Sequence, residues 1–175
     1  REILSYEHDV DVVDRFAGLV ATSSARTFAI IAVRHGKAVA PHDWRGPDAS
    51  RPLMPRGHEQ AHRAAGGIAA FGPSKLISST AARCLTTIAP VAASTGLAVK
   101  LSDKISQDAF QPSAKAVNSV VRKRLKRRRS VVLCSHGPVL PQIIEAVASH
   151  GGERRLDQLP RAKALGTGEF ALEFG

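Results

Sequence analysis

Phe28-Ala-Ile-Ile-Ala-Val33 leads without a break into Arg34-His35-Gly36, and Val131-Val-Leu-Cys134 leads in the same way into Ser135-His136-Gly137. An uninterrupted apolar run of this length suits a strand covered on both faces, as strands of a parallel sheet are. Outward from these two runs, helix and strand signals alternate. Lys37 to Arg56 carries prolines, glycines and charges and reads as a long functional loop, after which Gly57 to Phe71 places Ala61, Ala64, Ala65, Ile68 and Ala69 at helical spacing. Lys75 to Ser78 is a short strand, Ala81 to Ser94 a helix and Leu97 to Leu101 a third strand. Ser113 to Arg127 is a helix whose last turns are almost wholly basic. After the Val131–Cys134 strand, Leu140 to Ala148 is helical, and Glu169 to Phe174 forms a terminal strand beyond the Gly166-Thr-Gly168 turn. The alternation predicts an α/β fold, a three-layer sandwich about a mostly parallel central sheet.

The 175 residues suffice for one proper core and are too few for two full-sized domains. Residues 27–175 are expected to form that domain. Residues 1–26 open at Arg1 without Met or the apolar core of a secretion signal, and read as a linker or tail from a preceding domain, with Ala21 to Arg26 as its hinge. No run approaches the roughly 20 apolar residues that span a bilayer, so no membrane anchor is expected and a cytoplasmic location is. Cys84 and Cys134 sit in apolar segments without metal-ligand spacing, which predicts buried free thiols. A formal charge of +10 attracts anions, whether nucleic acid, acidic lipid or phosphorylated small molecules, and does not choose among them.

The chemistry is concentrated at the strand ends. Ligands of an open parallel sheet bind beyond the carboxyl ends of its strands, so His35 and His136 face one pocket if their strands are neighbours. The glycine after each, Gly36 or Gly137, lets backbone approach a ligand closely, and a helix N-terminus beyond each strand offers N–H groups to an anion. Arg34 supplies a planar fork of donors suited to phosphate, and Arg83 supplies a second from the first turn of its helix. A neutral imidazole attacks phosphorus through one ring nitrogen while a hydrogen bond holds the other, and an ordinary pKa of about 6.5 keeps much of it neutral at pH 7.

Val33-Arg-His-Gly36, Ser78-Ser-Thr-Ala-Ala-Arg83-Cys-Leu-Thr-Thr87 and Ser135-His-Gly137 together resemble the histidine phosphatase superfamily, also called phosphoglycerate-mutase-like, over about residues 27–174. Asp48-Ala-Ser-Arg-Pro-Leu-Met-Pro-Arg-Gly57, followed by Gln60-Ala61, is similar to its small SixA-like branch. Arg83-Cys84 and the lead-in Leu4-Ser-Tyr-Glu-His-Asp9 are similar to the C-terminal half of actinobacterial proteins, mycobacterial ones among them, that fuse a Nudix (MutT-like) hydrolase to such a domain. The resemblance implies that His35 becomes phosphorylated, that Arg34 and Arg83 bind phosphoryl oxygens beside Gly137, and that His136 stabilises charge in the transition state. It implies no metal or cofactor for this domain, Mg²⁺ serving only an attached Nudix domain. The implied partners are an N-terminal Nudix-like domain and a phosphorylated small molecule, a nucleotide such as 8-oxo-dGTP, 8-oxo-GTP or their diphosphates. The alternatives are a protein phosphohistidine phosphatase and a low-turnover regulatory or docking domain.

The family normally carries a Glu after the third strand as general acid. Ile105-Ser-Gln107-Asp108-Ala-Phe110 places Gln107 there, with Asp108 beside it. Gln has no titrating proton to give, so Asp108, or less favourably Asp103, is expected to take that role or the acid step is weak. Weak acid help would favour good leaving groups, such as phosphoanhydrides or phosphohistidine.

Two rival readings remain on the same residues. His58-Glu59-Gln-Ala-His62 spells the HExxH pattern of zinc peptidases, though no third His follows and the resemblance explains Gly57, Gln60 and Ala61 as a helix start. Arg122-Lys-Arg-Leu-Lys-Arg-Arg-Arg129 could touch nucleic acid, but the run lacks interleaved aromatics, and a solvated basic face with Leu125 turned to the core is the favoured reading. In the long loop, Trp44, Arg45 and Arg51 are candidates to meet substrate, Arg51 equally a structural pair for Asp48. His8, His42 and His150 are expected at the surface.

Overall fold

A computed structural model describes residues 28–107, 114–151 and 165–174, together with residues 18 and 21. The expected linker, apart from those two residues, lies outside the described residues, as do Asp108 and His8.

The elements are β1 (Ala29–Arg34), α1 (Pro55–Ala70), β2 (Leu76–Ser78), α2 (Ala82–Thr95), β3 (Val99–Leu101), α3 (Lys115–Leu125), β4 (Val131–Ser135), α4 (Leu140–Gly151) and β5 (Phe170–Phe174). The strands form one five-stranded sheet in the order β3-β2-β4-β1-β5. β1, β4, β2 and β3 run parallel, and β5 closes the far edge antiparallel to β1. The expected mostly parallel three-layer α/β sandwich is the observed one.

Successive side chains of a strand point to opposite faces, and the two cores follow that alternation. Ala29, Ile31 and Val33 of β1 join Val132 and Cys134 of β4, under α1 and α2 through Ala65, Ile68, Cys84, Ile88 and Val91. Ile30 and Ala32 join Val131 and Leu133 on the other face, under α3 and α4 through Val117, Val121, Leu140, Ile143 and Ile144. Each fully buried branched side chain stabilises the fold by about 1.5–3 kcal/mol relative to exposure, which is why β1 and β4 are apolar up to their last residues, Arg34 and Ser135.

Element ends depart from expectation where local chemistry intervenes. The first helix starts at Pro55 rather than Gly57, because proline's fixed φ suits the opening turn and its missing N–H has no partner to lose there. The stretch before it is tighter than an open loop, with 3-10 turns at Pro41–Asp43 and Asp48–Ser50 and an Ala38–Leu53 bridge. β3 begins at Val99 rather than Leu97, since α2 runs to Thr95 and Gly96 turns the chain with φ of 68°. α3 stops at Leu125 rather than Arg127; Arg122 and Lys126, four apart, repel on one face, and the chain leaves through Arg128 at φ 46°. Leu125 does pack against the core, but Arg124, 8% exposed, is the more buried of the two.

The placement of the site follows from the connections. The chain leaves β1 for the α1/α2 face and leaves the adjacent β4 for the α3/α4 face. Between such a pair of strands a crevice opens beyond their carboxyl ends, and there ligands bind.

Candidate active site

β1 and β4 are in register at Arg34 opposite Ser135, so the next residue of each strand, His35 and His136, emerges at the same crevice. Their ring centroids are 5.2 Å apart with planes inclined at 66°. His35 is 9% exposed and His136 fully buried. Nδ1 of His35 is hydrogen-bonded to the Gly36 carbonyl at 2.8 Å, which holds the ring and assigns the lone pair to Nε2. Burial lowers the pKa of His35 to about 4, with the charges of His136, Arg83 and Arg34 adding and the Gly36 bond opposing. The imidazole is therefore neutral at pH 7, the form that can act as a nucleophile.

That shift has a measurable consequence. Below about pH 6.5 an unfolded chain takes up a proton on this imidazole that the folded chain refuses until about pH 4. Stability is present above the unfolded pKa and falls as pH drops through this window, by about 3 kcal/mol in full. Denaturant melts from pH 7 to 4 are expected to show a smaller loss for His35→Gln than for the native chain. Equal losses would mean that His35 titrates normally.

Tight packing supports the nucleophile's turn. A Cβ on Gly36 would lie 2.6 Å from the Gly57 carbonyl oxygen, so the start of α1 presses against the turn after His35 and only glycine fits. The Gly36 N–H donates to Thr87 Oγ1 at 2.9 Å, tying the turn to α2. On the other strand, a Cβ on Gly137 would come within 3.2 Å of the Arg34 guanidinium, which lies over that glycine.

Arg34 is half-buried and donates from Nη1 to the Leu165 carbonyl at 2.6 Å. Arg83 is 1% exposed and is held by Asp48, donating from Nη1 to its backbone oxygen at 2.6 Å and from Nη2 to Oδ2 at 2.7 Å. The sheltered Nε of each arginine has no partner among the described residues, a donor that an anion's oxygen would satisfy. Asp48 also accepts from Arg51 Nε at 2.9 Å. Burial would raise its carboxyl pKa, but the hydrogen bonds and charges of Arg51 and Arg83 hold it below the usual range.

His136 Nε2 and Ser79 Oγ are hydrogen-bonded at 2.8 Å, and Ser79 Oγ continues to Ser106 Oγ at 2.9 Å. Cys84 Sγ lies 3.5 Å from the same His136 nitrogen. Cys84 and Cys134 are both buried free thiols. Ser79, Ser106 and Thr87 are participants that sequence reasoning missed, and Asp48 was expected only as a pair for Arg51. Ser79 and Thr87 lay inside the Ser78–Thr87 motif, but which residue each would meet depends on pairings across the fold.

Other expected participants stand elsewhere. Arg51 is structural, bound to Asp48 and to the Val39 carbonyl at 2.5 Å. Trp44 turns onto its own loop, donating from Nε1 to the Pro47 carbonyl at 3.2 Å, and Arg45 is exposed. Gln107 is exposed, next to the buried Ser106. His42 is exposed beside Asp43. His58, Glu59 and His62 lie on the exposed face of α1, with Glu59 beside Arg63 at 3.8 Å. The HExxH reading fails on that placement, since a catalytic zinc needs its ligands turned into a cleft with a third protein ligand.

Comparison with known proteins agrees with this site. Residues 30–111 match the model of the Histidine phosphatase superfamily (branch 1). The chain is 30% identical over 142 residues to the 8-oxo-(d)GTP phosphatase of Mycolicibacterium smegmatis, a match covering 81% of this chain and 43% of that relative's length. Among solved structures, a mycobacterial glucosyl-3-phosphoglycerate phosphatase superposes with a TM-score of 0.64 at 18% identity, covering 86% of this chain and 91% of that one. The protein histidine phosphatase SixA, complexed with tungstate, gives 0.56 at 20% identity, covering 72% and 79%. At such identities these two show the fold. Among the described residues no helix is long and apolar enough to cross a membrane. Over residues 30–111 the chain is thus similar to the histidine phosphatase superfamily, branch 1, and the relatives named above are phosphatases.

Proposed function

We propose that this domain releases phosphate from phosphoanhydride-bearing nucleotides, oxidised guanine nucleotides among them, through a phosphohistidine at His35 and without a metal. The observation that carries the reading is a neutral, backbone-anchored imidazole set against a second, fully buried imidazole, with the charges of Arg83 and Arg34 acting on the first. His35 Nε2 attacks phosphorus; the P–N bond forms as the bond to the leaving oxygen breaks, and that oxygen departs with the electron pair. Water then attacks the phosphohistidine, the P–N bond breaks, and orthophosphate leaves with the imidazole restored. Arg34, Arg83 and His136 meet the charge on the phosphoryl oxygens, the task metal ions perform in other phosphoryl-transfer sites.

The substrate class rests on two supports. The M. smegmatis relative is named for 8-oxo-(d)GTP, and this chain spans less than half of it, in keeping with a domain fused after a Nudix-like one. Gln107, where the resemblance places a Glu, has no titrating proton to give, so a basic leaving oxygen depends on Asp108, next in sequence, whereas a phosphoanhydride needs little acid help. A phosphohistidine leaving group would also tolerate that change, and makes protein phosphohistidine the second reading. Phosphate release is to be measured with EDTA present on 8-oxo-guanine nucleotides, ordinary nucleoside di- and triphosphates and a phosphohistidine peptide. Preference for the oxidised nucleotides supports the proposal, and preference for the peptide replaces it.

A graded test concerns the leaving group. Asp108→Asn is expected to lower hydrolysis of sugar-phosphate monoesters by on the order of 10²-fold, because their alkoxides leave as strong bases, and to affect phosphoanhydrides far less. Gln107→Glu is expected to raise monoesterase activity. Equal slowing of both substrate classes by the first change, with no effect of the second, would show that neither position handles the proton.

A further inference from the structure

A cationic groove lies apart from the His35 pocket, where edge strand β3 meets α3. Its inner part, a cavity of about 250 Å³, is lined by Ile77, Lys100, Ser102, Lys104, Lys123 and Arg124, with Ser119 and Val120 completing the α3 wall. A second cavity of about 300 Å³ shares Ser119 and Lys123 with it and adds Arg122 and Lys126. None of these residues belongs to the His35 site.

Ordinary explanations cover only parts of this arrangement. A lysine on an edge strand such as Lys100 discourages edge-to-edge pairing, and cations in the last turn of α3 complement the helix dipole. Neither accounts for Arg124, which is 8% exposed, lines the cavity and has a buried Nε without a partner among the described residues. A sheltered N–H donor without a partner is costly, and among the described residues no carboxylate is ion-paired with any cation of the groove. The positive charges also act on one another. Lys75, beside the groove, is held below the usual lysine range by desolvation and by the charges of Arg124, Lys100, Arg127 and Lys123.

The shape indicates the anion. Ser119, Arg122, Lys123 and Lys126 stand at i, i+3, i+4 and i+7, one stripe along α3 and its C-terminal cap about 10 Å long, which is more than a single orthophosphate occupies. Across from it are Lys100 and Lys104, the latter donating from Nζ to Ser119 Oγ at 3.3 Å. Two hydroxyls and a row of cations over one small apolar wall suit linked phosphates and offer no aromatic ring on which a base could stack. We infer that this groove is a second anion site, built for a linear oligophosphate chain, whether inorganic polyphosphate or the phosphates of a nucleotide.

The test uses a His35→Ala/Arg34→Ala chain, in which turnover is removed and the pocket's phosphoryl grip is weakened to Arg83, and tripolyphosphate as calorimetric probe. Saturable binding is expected at low salt, weakening as salt screens the lysines, and falling at least tenfold on adding Lys100→Glu/Lys123→Glu. Lys100→Gln/Lys123→Gln, checked by circular dichroism, gives the same direction with less risk to folding. GTP serves as the second arm: equal affinity assigns the phosphate chain alone as ligand, and tighter GTP binding assigns a nucleotide, both supporting the site. No saturable binding, affinity unmoved by either lysine pair, or lysine-dependent capture of single-stranded DNA with none of tripolyphosphate overturns the inference. The outcome does not depend on the reading of His35.

Discussion

Replacing His35 with alanine is expected to lower phosphate release by at least on the order of 10³-fold, the scale on which loss of a nucleophile acts when binding groups remain. The neighbouring imidazole cannot take over. His136 is fully buried, and its Nε2 is engaged by Ser79 and lies against Cys84, so neither its access nor its hydrogen bonding suits attack. Retention of most activity by His35→Ala would remove the phosphohistidine from the mechanism. Because His35 is buried with a depressed pKa, the variant is expected to fold, and a circular dichroism melt separates lost chemistry from lost structure.

Arg83→Met carries the second large effect, and it is double. The guanidinium holds both the backbone and the carboxylate of Asp48, which in turn holds Arg51. Breaking a buried ion pair costs about 3–5 kcal/mol; here about 2–3 kcal/mol is expected, because the Asp48 carboxylate is 40% exposed and water can replace part of the contact. Loss of a donor aimed at developing phosphoryl charge should lower kcat by on the order of 10²–10³-fold. Thermal melts and steady-state kinetics on the same preparation read the two effects separately. A loss of stability with kcat intact would make Arg83 a structural tie for the Asp48 loop and leave Arg34 as the phosphoryl clamp.

How much of this was legible in the sequence depended on the range of the signal. Ala29–Val33 of β1 and Val131–Cys134 of β4 are apolar without a break because both their faces are covered, and that is visible residue by residue. Their ending at His-Gly was visible for the same reason, and so was the shared crevice once a parallel sheet was inferred. The antiparallel direction of β5 was not, because pairing direction leaves no mark in so short a strand. The supporting contacts were hidden by distance along the chain: Asp48 meets Arg83 across 35 residues and Ser79 meets His136 across 57. Arg51 shows the limit from the other side. Its bond to Asp48 is local and was foreseen, whereas the sharing of Asp48 with Arg83, which makes the pair part of the active site, depends on how α2 approaches the loop. In α3 the periodicity pointed to Leu125 as the inward residue and overlooked Arg124, because a long side chain can be buried along its stem where its type predicts exposure.

The central claim is that phosphorus passes through His35. Rapid quenching of the protein with a radiolabelled phosphoanhydride substrate, followed by peptide mapping, tests it most directly. The account requires a burst of one phosphoryl group per chain on the peptide containing His35, labile in acid and stable in base, absent from His35→Ala and still formed in EDTA. Turnover without such a label, or a label carried on His136, would contradict it.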